Sequence, residues 1–260
     1  MVMERIRAAG KDLKNHGPLQ QKGLELIKHI MRTHKIKDPG PKEQPARKSS
    51  KAENRQPIEL NLAAEWQRQA SRFVELGYHS ELGLTEAAYL ESLPRFKRQP
   101  KEYRGRFDAP MLVEVRIPWE KQAQLAGIDV SEYLVARIDQ TNPCDERSET
   151  PEVPYAGWFS KWGQEFPNKI KPFDARNQLA ADAVGGSPFE GVAQQVHHPE
   201  VTEGGKYFDL IGYKVGSDYV PCLDRWYGRP ELDAHWGDGA YGYFRPLVRG
   251  KKIVTRQLAS

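Results

Sequence analysis

The chain has 260 residues, 38% of them hydrophobic and 28% charged, which is enough for one sizeable core. No run approaches the roughly 20 apolar residues needed to span a bilayer, and the N-terminus lacks the apolar stretch of a signal peptide. A cytoplasmic protein without a membrane partner is therefore expected. Two cysteines, Cys144 and Cys222, exclude a disulfide framework and a four-cysteine zinc site. The net charge of +4 is unevenly spread: residues 1–56 hold 14 Lys and Arg against 6 Asp and Glu, and the remainder holds 25 against 29.

Residues 1–36 read as a basic helical arm. Leu24, Ile27, Ile30 and Met31 fall on one helical face, with Lys22, Lys28, Arg32 and Lys35 elsewhere around it. Such an arm grips nucleic acid or another anionic surface, or packs its narrow stripe on the domain with its charges solvated, or stays disordered. Residues 37–57 hold four prolines and no aliphatic side chain larger than alanine. They read as a flexible linker, because they bury too little apolar area to offset the entropy of ordering them.

A single domain is expected over residues 58–250, with 251–260 a frayed tail. Leu62, Trp66, Ala70, Phe73 and Val74 make an amphipathic helix that Gly77 ends, and a second helix runs from the N-cap Thr85 to Leu93. Arg95–Arg106 is a basic connector, read as a solvated loop or as a contact for an acidic partner. Met111–Ile117 alternates as a strand, Glu120–Ala126 suits a short helix, and Tyr133–Asp139 reads as a second strand. After a polar loop at Thr141–Pro154 comes an aromatic run holding Trp158, Phe159 and Trp162, which reads either as packing or as a ligand wall. Phe173–Val184 is expected to be helical.

Ser187-Pro188-Phe189-Glu190 is a capping-box signature, and the helix it opens must stop at His198, before Pro199. Tyr207–Val215 and Tyr219–Trp226 flank the hairpin signal Gly216-Ser217-Asp218. Glu231–Trp236 and Ala240–Phe244 add further strands. Cys222, inside an apolar run, reads as an inert buried thiol, and Cys144 lies beside acids that discourage its ionisation.

Several of these pieces, taken in succession, resemble a bacterial family catalogued as domain of unknown function 5701. They are Leu76-Gly77-Tyr78 with Gly83-Leu84, Met111–Ile117, Tyr133–Asp139, and Ser187–Gly191 running into His197–Val201. Tyr207–Gly212, Val220–Leu223 and Gly228–Leu232 through Trp236 continue the likeness, which spans roughly residues 60–245. The loop Thr141–Pro154 and the aromatic run after it have no counterpart in it. The family carries no established activity, so the resemblance implies no cofactor and no catalytic residue.

Imidazoles and carboxylates suit a divalent metal or acid-base work, and the candidates are His197, His198, Glu200, Asp224, His235 and Asp238. Neither a His-Glu-x-x-His nor a His-x-His spacing occurs, and a cation in the last turn of a helix is also favoured by the helix dipole. Gly-x-Ser-x-Gly and the phosphate-loop pattern are absent, and Gly185-Gly186-Ser187 reads as a helix cap, with an anion-binding role as the alternative.

The expectation is an α+β domain with a mostly antiparallel sheet and helices packed on one face, preceded by the basic arm and the linker. Its function is expected to be a non-enzymatic binding or interaction module with no cofactor and no metal. A protein or peptide partner would meet Trp158, Phe159, Trp162, Trp226 and Trp236. The alternatives are a nucleic-acid-associated protein gripping through residues 1–56, and a metal-dependent or acid-base hydrolase built on His197, His198, Asp224 and His235.

Overall fold

The computed structural model describes residues 60–138 and 150–256. The basic arm with Lys22, Lys28, Arg32 and Lys35, the linker, Cys144, residues 139–149 and the last four residues lie outside the described residues. In chain order the helices are α1 (Leu62–Glu75), α2 (Tyr78–Glu81), α3 (Glu86–Ser92), α4 (Trp119–Leu125), α5 (Glu132–Arg137), α6 (Pro172–Asn177), α7 (Pro188–His197) and α8 (Pro199–Glu203). The strands are β1 (Ala109–Val113), β2 (Asp129–Val130), β3 (Tyr155–Phe159), β4 (Ala183–Gly185), β5 (Tyr207–Asp209), β6 (Tyr219–Trp226), β7 (Arg229–Trp236), β8 (Phe244–Pro246), β9 (Val248–Gly250) and β10 (Val254–Thr255).

The architecture is α+β with mostly antiparallel pairing, and the strands divide between two five-stranded sheets. The first, β1-β3-β9-β4 with β10 also on β3, is antiparallel throughout. The second, β2-β7-β6-β5-β8, is antiparallel at its centre and parallel at its two outer pairs. No helix among the described residues is long and apolar enough to cross a membrane.

Helix α1 begins where the Asn61 side chain accepts the Ala64 N–H at 3.1 Å, and it stops ahead of Gly77, whose φ of +80° favours glycine. Its buried side chains, Trp66, Gln69, Ala70 and Phe73, keep helical spacing. Gln69 has a specific task at the edge strand β1. Its amide donates to Pro110 O and accepts the Leu112 N–H, both at 2.8 Å, and His197 Nε2 lies 3.1 Å from Leu112 O. Side chains thus satisfy the backbone groups that the free edge of the sheet would leave bare.

The central helix is α7. Its capping box is complete: Ser187 N–H donates to Glu190 Oε2 at 2.7 Å, and Glu190 N–H donates to Ser187 Oγ. It packs against β1 of the first sheet and against β6 and β7 of the second. Gly191 allows the approach, since a Cβ there would lie 2.7 Å from Leu210 Cδ1. Glu190 then ties the helix to the first sheet, because its Oε1 accepts both Tyr155 OH and Arg249 Nε–H at 2.6 Å. The main core gathers Trp66, Phe73, Trp119, Phe159, Val192, Phe208 and Leu232 around this helix.

Five expected elements come out differently, each for a local reason. The strand from Met111 stops at Val113, because Glu114 Oε1 takes the N–H groups of Val115 and Arg116 at 3.1 and 2.9 Å and turns the chain. The strand expected at Tyr133–Asp139 is helix α5 as far as Arg137: Ser131 gives its N–H to Leu232 O, and its hydroxyl then caps Leu134 N–H at 3.1 Å. The helix expected through Val184 ends at Asn177, and Ala183–Gly185 pairs with β9 instead. The strand expected from Tyr207 to Val215 ends at Asp209, because Arg176 draws the carbonyls of Ile211 and Tyr213 away at 2.7 and 3.0 Å. The segment expected at Ala240–Phe244 forms turns, and the strand begins only at Phe244.

The turn at Gly216 is present but closes a single bridge, Val215 to Tyr219. The long hairpin is the next one, β6–β7, which closes on Tyr227-Gly228 with φ of 48° and 82°. Two positive φ values match the twist of the flanking strands. The tail does not fray at once, since Val254 and Thr255 pair with Ala156 and Tyr155.

Candidate functional site

Side chains alternate across a strand, so the register of the second sheet sorts them by face. On β6, Val220, Cys222, Asp224 and Trp226 point one way, and their β7 partners are His235, Asp233, Glu231 and Arg229. Asp209 of β5 pairs with Cys222, while Tyr207 and Asp209 pair with Phe244 and Pro246 of β8. The opposite face sends Phe208, Leu223 and Leu232 into the main core beneath α7. The outer face thus carries four carboxylates, Asp209, Asp224, Glu231 and Asp233, and a single arginine among its β6 and β7 residues, Arg229, which itself pairs with Asp129 at 3.0 Å.

At the centre of this face His235 Nε2 is hydrogen-bonded to Asp209 Oδ1. Strands β5 and β7 flank β6 and stand about 10 Å apart, so the two side chains meet over Val220 and Cys222. The Asp209 side chain is 1% exposed and that of His235 15%. The imidazole stacks on Phe244 with centroids 4.6 Å apart and has Tyr241 at 5.6 Å. Tyr207 and Tyr243 complete the aromatic cluster, each within 6 Å of Phe244 or of one another. Among the described residues His235 Nδ1 has no hydrogen-bond partner, so none of their hydroxyls or thiols is placed there as a nucleophile. Cys222 is fully buried and packs with Tyr207 and Phe244, as its apolar run led one to expect.

The other candidate imidazoles lie elsewhere. His197 ends α7, on the core side of the second sheet, with its ring 4.7 Å from Phe73. Leu112 O can only accept, so His197 Nε2 carries the proton, and burial holds the ring neutral, well below the usual histidine range. His198 is also lowered by burial, with Glu200 Oε1 at 3.4 Å working in the other direction. Asp224 shares the outer face with His235 but sits four residues along β6 from that histidine's partner, about 13 Å away. Asp238 faces Lys171 at 3.5 Å. His197, His198, Asp224 and His235 do not converge, and among the described residues no three His, Cys, Asp or Glu gather as metal ligands.

Of the five aromatics expected at a partner surface, two lie in the interior. Trp158 and Phe159 belong to β3, a central strand of the first sheet, and both are buried, with Trp158 Nε1 donating to Lys97 O at 3.1 Å. Trp162 is half-buried, with Lys206 and Arg245 each 4.9 Å from its ring. Trp226 and Trp236 are half-buried at opposite ends of the β6–β7 hairpin, against Tyr227 and Tyr219.

Sequence reasoning missed Asp209, Glu231 and Asp233. The alternation Glu231-x-Asp233-x-His235 was readable as one polar strand face, but nothing in the sequence placed Asp209 two strands away in register with it. Outside this face, Glu165 has both carboxylate oxygens buried without a hydrogen bond, and burial pushes its pKa up to about 7. Compared with protein-family models, with curated proteins and with solved structures, the chain gives no match.

Proposed function

We propose that this chain is a non-enzymatic binding module, acting in the cytoplasm, that receives a cationic protein segment on the outer face of its second sheet. The observation that carries the reading is the acidic and aromatic character of that face: Glu231 and Asp233 are partly exposed on β7, Asp209 and Asp224 lie buried in the same face, and His235, further along β7, stacks on Phe244 in the ring cluster. Lysine or arginine side chains laid across it would meet carboxylates and the electron-rich faces of aromatic rings. In this reading the Asp209–His235 pair braces the centre of the face. Membership of the domain of unknown function 5701 family is part of the proposal and adds no activity to it.

The test is fluorescence anisotropy with a labelled Lys/Arg-rich peptide and an acidic peptide of equal length, at about 50 and about 300 mM salt. Saturable, salt-sensitive binding of the basic peptide alone is expected. Combining Glu231→Gln with Asp233→Asn weakens it about fivefold, the effect of two partly exposed charges. Equal affinity for both peptides, or none lost in the double variant, refutes the reading.

A further inference from the structure

The acidic balance of the chain beyond residue 56 conceals a segregated basic region. Residues 95–106 and 251–256 together hold nine Lys and Arg and one carboxylate, Glu102. The fold brings the two segments together: Lys252 Nζ meets Glu102 at 2.6 Å, Lys252 N–H donates to Tyr103 OH at 2.9 Å, and Tyr103 packs on Gly250. The connector is also pinned along its length. Trp158 holds Lys97 O, Gln99 donates to Phe107 O and Asp108, and Arg106 reaches both oxygens of Asp182 at 3.0 Å.

Three of the nine cations are neutralised: Arg106 by Asp182, Lys252 by Glu102 and Arg256 by Glu91. The other six, Arg95, Lys97, Arg98, Lys101, Arg104 and Lys251, are exposed and have no ion-pair partner among the described residues. Leaving six like charges on two adjoining segments, five of them on the pinned connector, disfavours the isolated fold, and a polyanion relieves the repulsion.

Among the described residues, the large hydrophobic ones that are exposed are Leu60, Tyr133, Val135, Val153 and Tyr227, none of them in either segment. A membrane-surface element needs an apolar face to insert, and a protein interface needs an apolar centre. A phosphate backbone needs only fixed cations, and without exposed rings to stack on bases the contact is independent of sequence. We infer that residues 95–106 and 251–256 form one surface for the phosphate backbone of a nucleic-acid duplex.

The test uses the full chain, a labelled duplex of arbitrary sequence, and anisotropy over a range of salt. In the variant Arg98→Gln, Lys101→Gln, Arg104→Gln, Lys251→Gln, the slope of log K against log salt becomes shallower by about 3 to 4, and affinity at low salt falls at least about tenfold. The paired variant Lys101→Gln, Arg104→Gln carries the test with a slope change of about 2 if the fourfold variant does not fold. A second variant replaces Lys22, Lys28, Arg32 and Lys35 with glutamine. The inference is overturned if only that arm variant loses binding, if both surface variants bind with unchanged slope, or if the wild-type protein binds anionic phospholipid vesicles and not the duplex.

Discussion

Replacing Glu190 with glutamine preserves the shape of the side chain and removes the charge on which the join between α7 and the first sheet depends. The carboxylate accepts Tyr155 OH and Arg249 Nε–H at 2.6 Å and Ser187 N–H at 2.7 Å. Glu190 is 2% exposed and Arg249 5%, so neither group has water to fall back on. An amide in the same place turns an N–H toward one of those donors and leaves the guanidinium without its counter-charge. Removing one partner of a buried pair costs about 3–5 kcal/mol. For a folded unit of this size that corresponds to a melting temperature lower by about 6–20 °C. Thermal and urea unfolding of Glu190→Gln, and of Glu190→Met, Arg249→Met and their double variant, measure it. The double variant is expected to lose at least about 2 kcal/mol less than the two single methionine variants together, because no unpaired charge remains. A loss below about 1 kcal/mol for Glu190→Gln, or strict additivity in the cycle, would show that the pair does not hold the helix.

Gln69→Leu strips Leu112 N–H and Pro110 O of their partners, so stability falls by about 2–4 kcal/mol and the Leu112 amide exchanges faster with solvent; unchanged exchange would contradict the edge-closing role. His197 is held neutral in the folded state, whereas the unfolded chain takes up the proton near pH 6.5. Its contribution is therefore complete above about pH 6.5 and is lost as the pH falls, by up to about 1.4 kcal/mol per unit. His197→Gln, which keeps a donor for Leu112 O, flattens that loss between about pH 6.5 and pH 5, and a curve of unaltered slope rejects the assignment. Glu165 behaves in the opposite sense: its raised pKa of about 7 means that the folded state keeps a proton the unfolded chain releases from 4.5 upward, so its contribution is lost as the pH rises to about 7. Glu165→Gln should raise the melting temperature at pH 8 more than at pH 4, and equal shifts at both pH values would refute burial as the cause.

Much of the helical framework was legible because its signals are local. Thr85 caps its helix as the spacing predicts, Ser187 and Glu190 make the complete capping box, and Pro199 ends α7. Several element ends were not: Val113, Asp209 and Asn177 each end a strand or helix because a side chain close by or far along the chain, Glu114 or Arg176, captures backbone groups, or because a distant strand offers a better ladder. The candidate site was half legible. His235 and Asp224 were picked out as polar residues with chemistry to offer, but they were grouped with His197 and His198, which the second sheet separates from them.

The amino-acid order alone determined the caps, the amphipathic faces, the uneven charge and the burial of Cys222, since each follows from residues within a few positions of one another. Only the tertiary structure decided that Asp209 meets His235 over β6, that Gln69 closes the edge of β1, and that Lys252 docks beside Tyr103. Pairing register and packing across tens of residues depend on which partners win the competition for buried backbone groups, and that competition is settled by the whole chain at once.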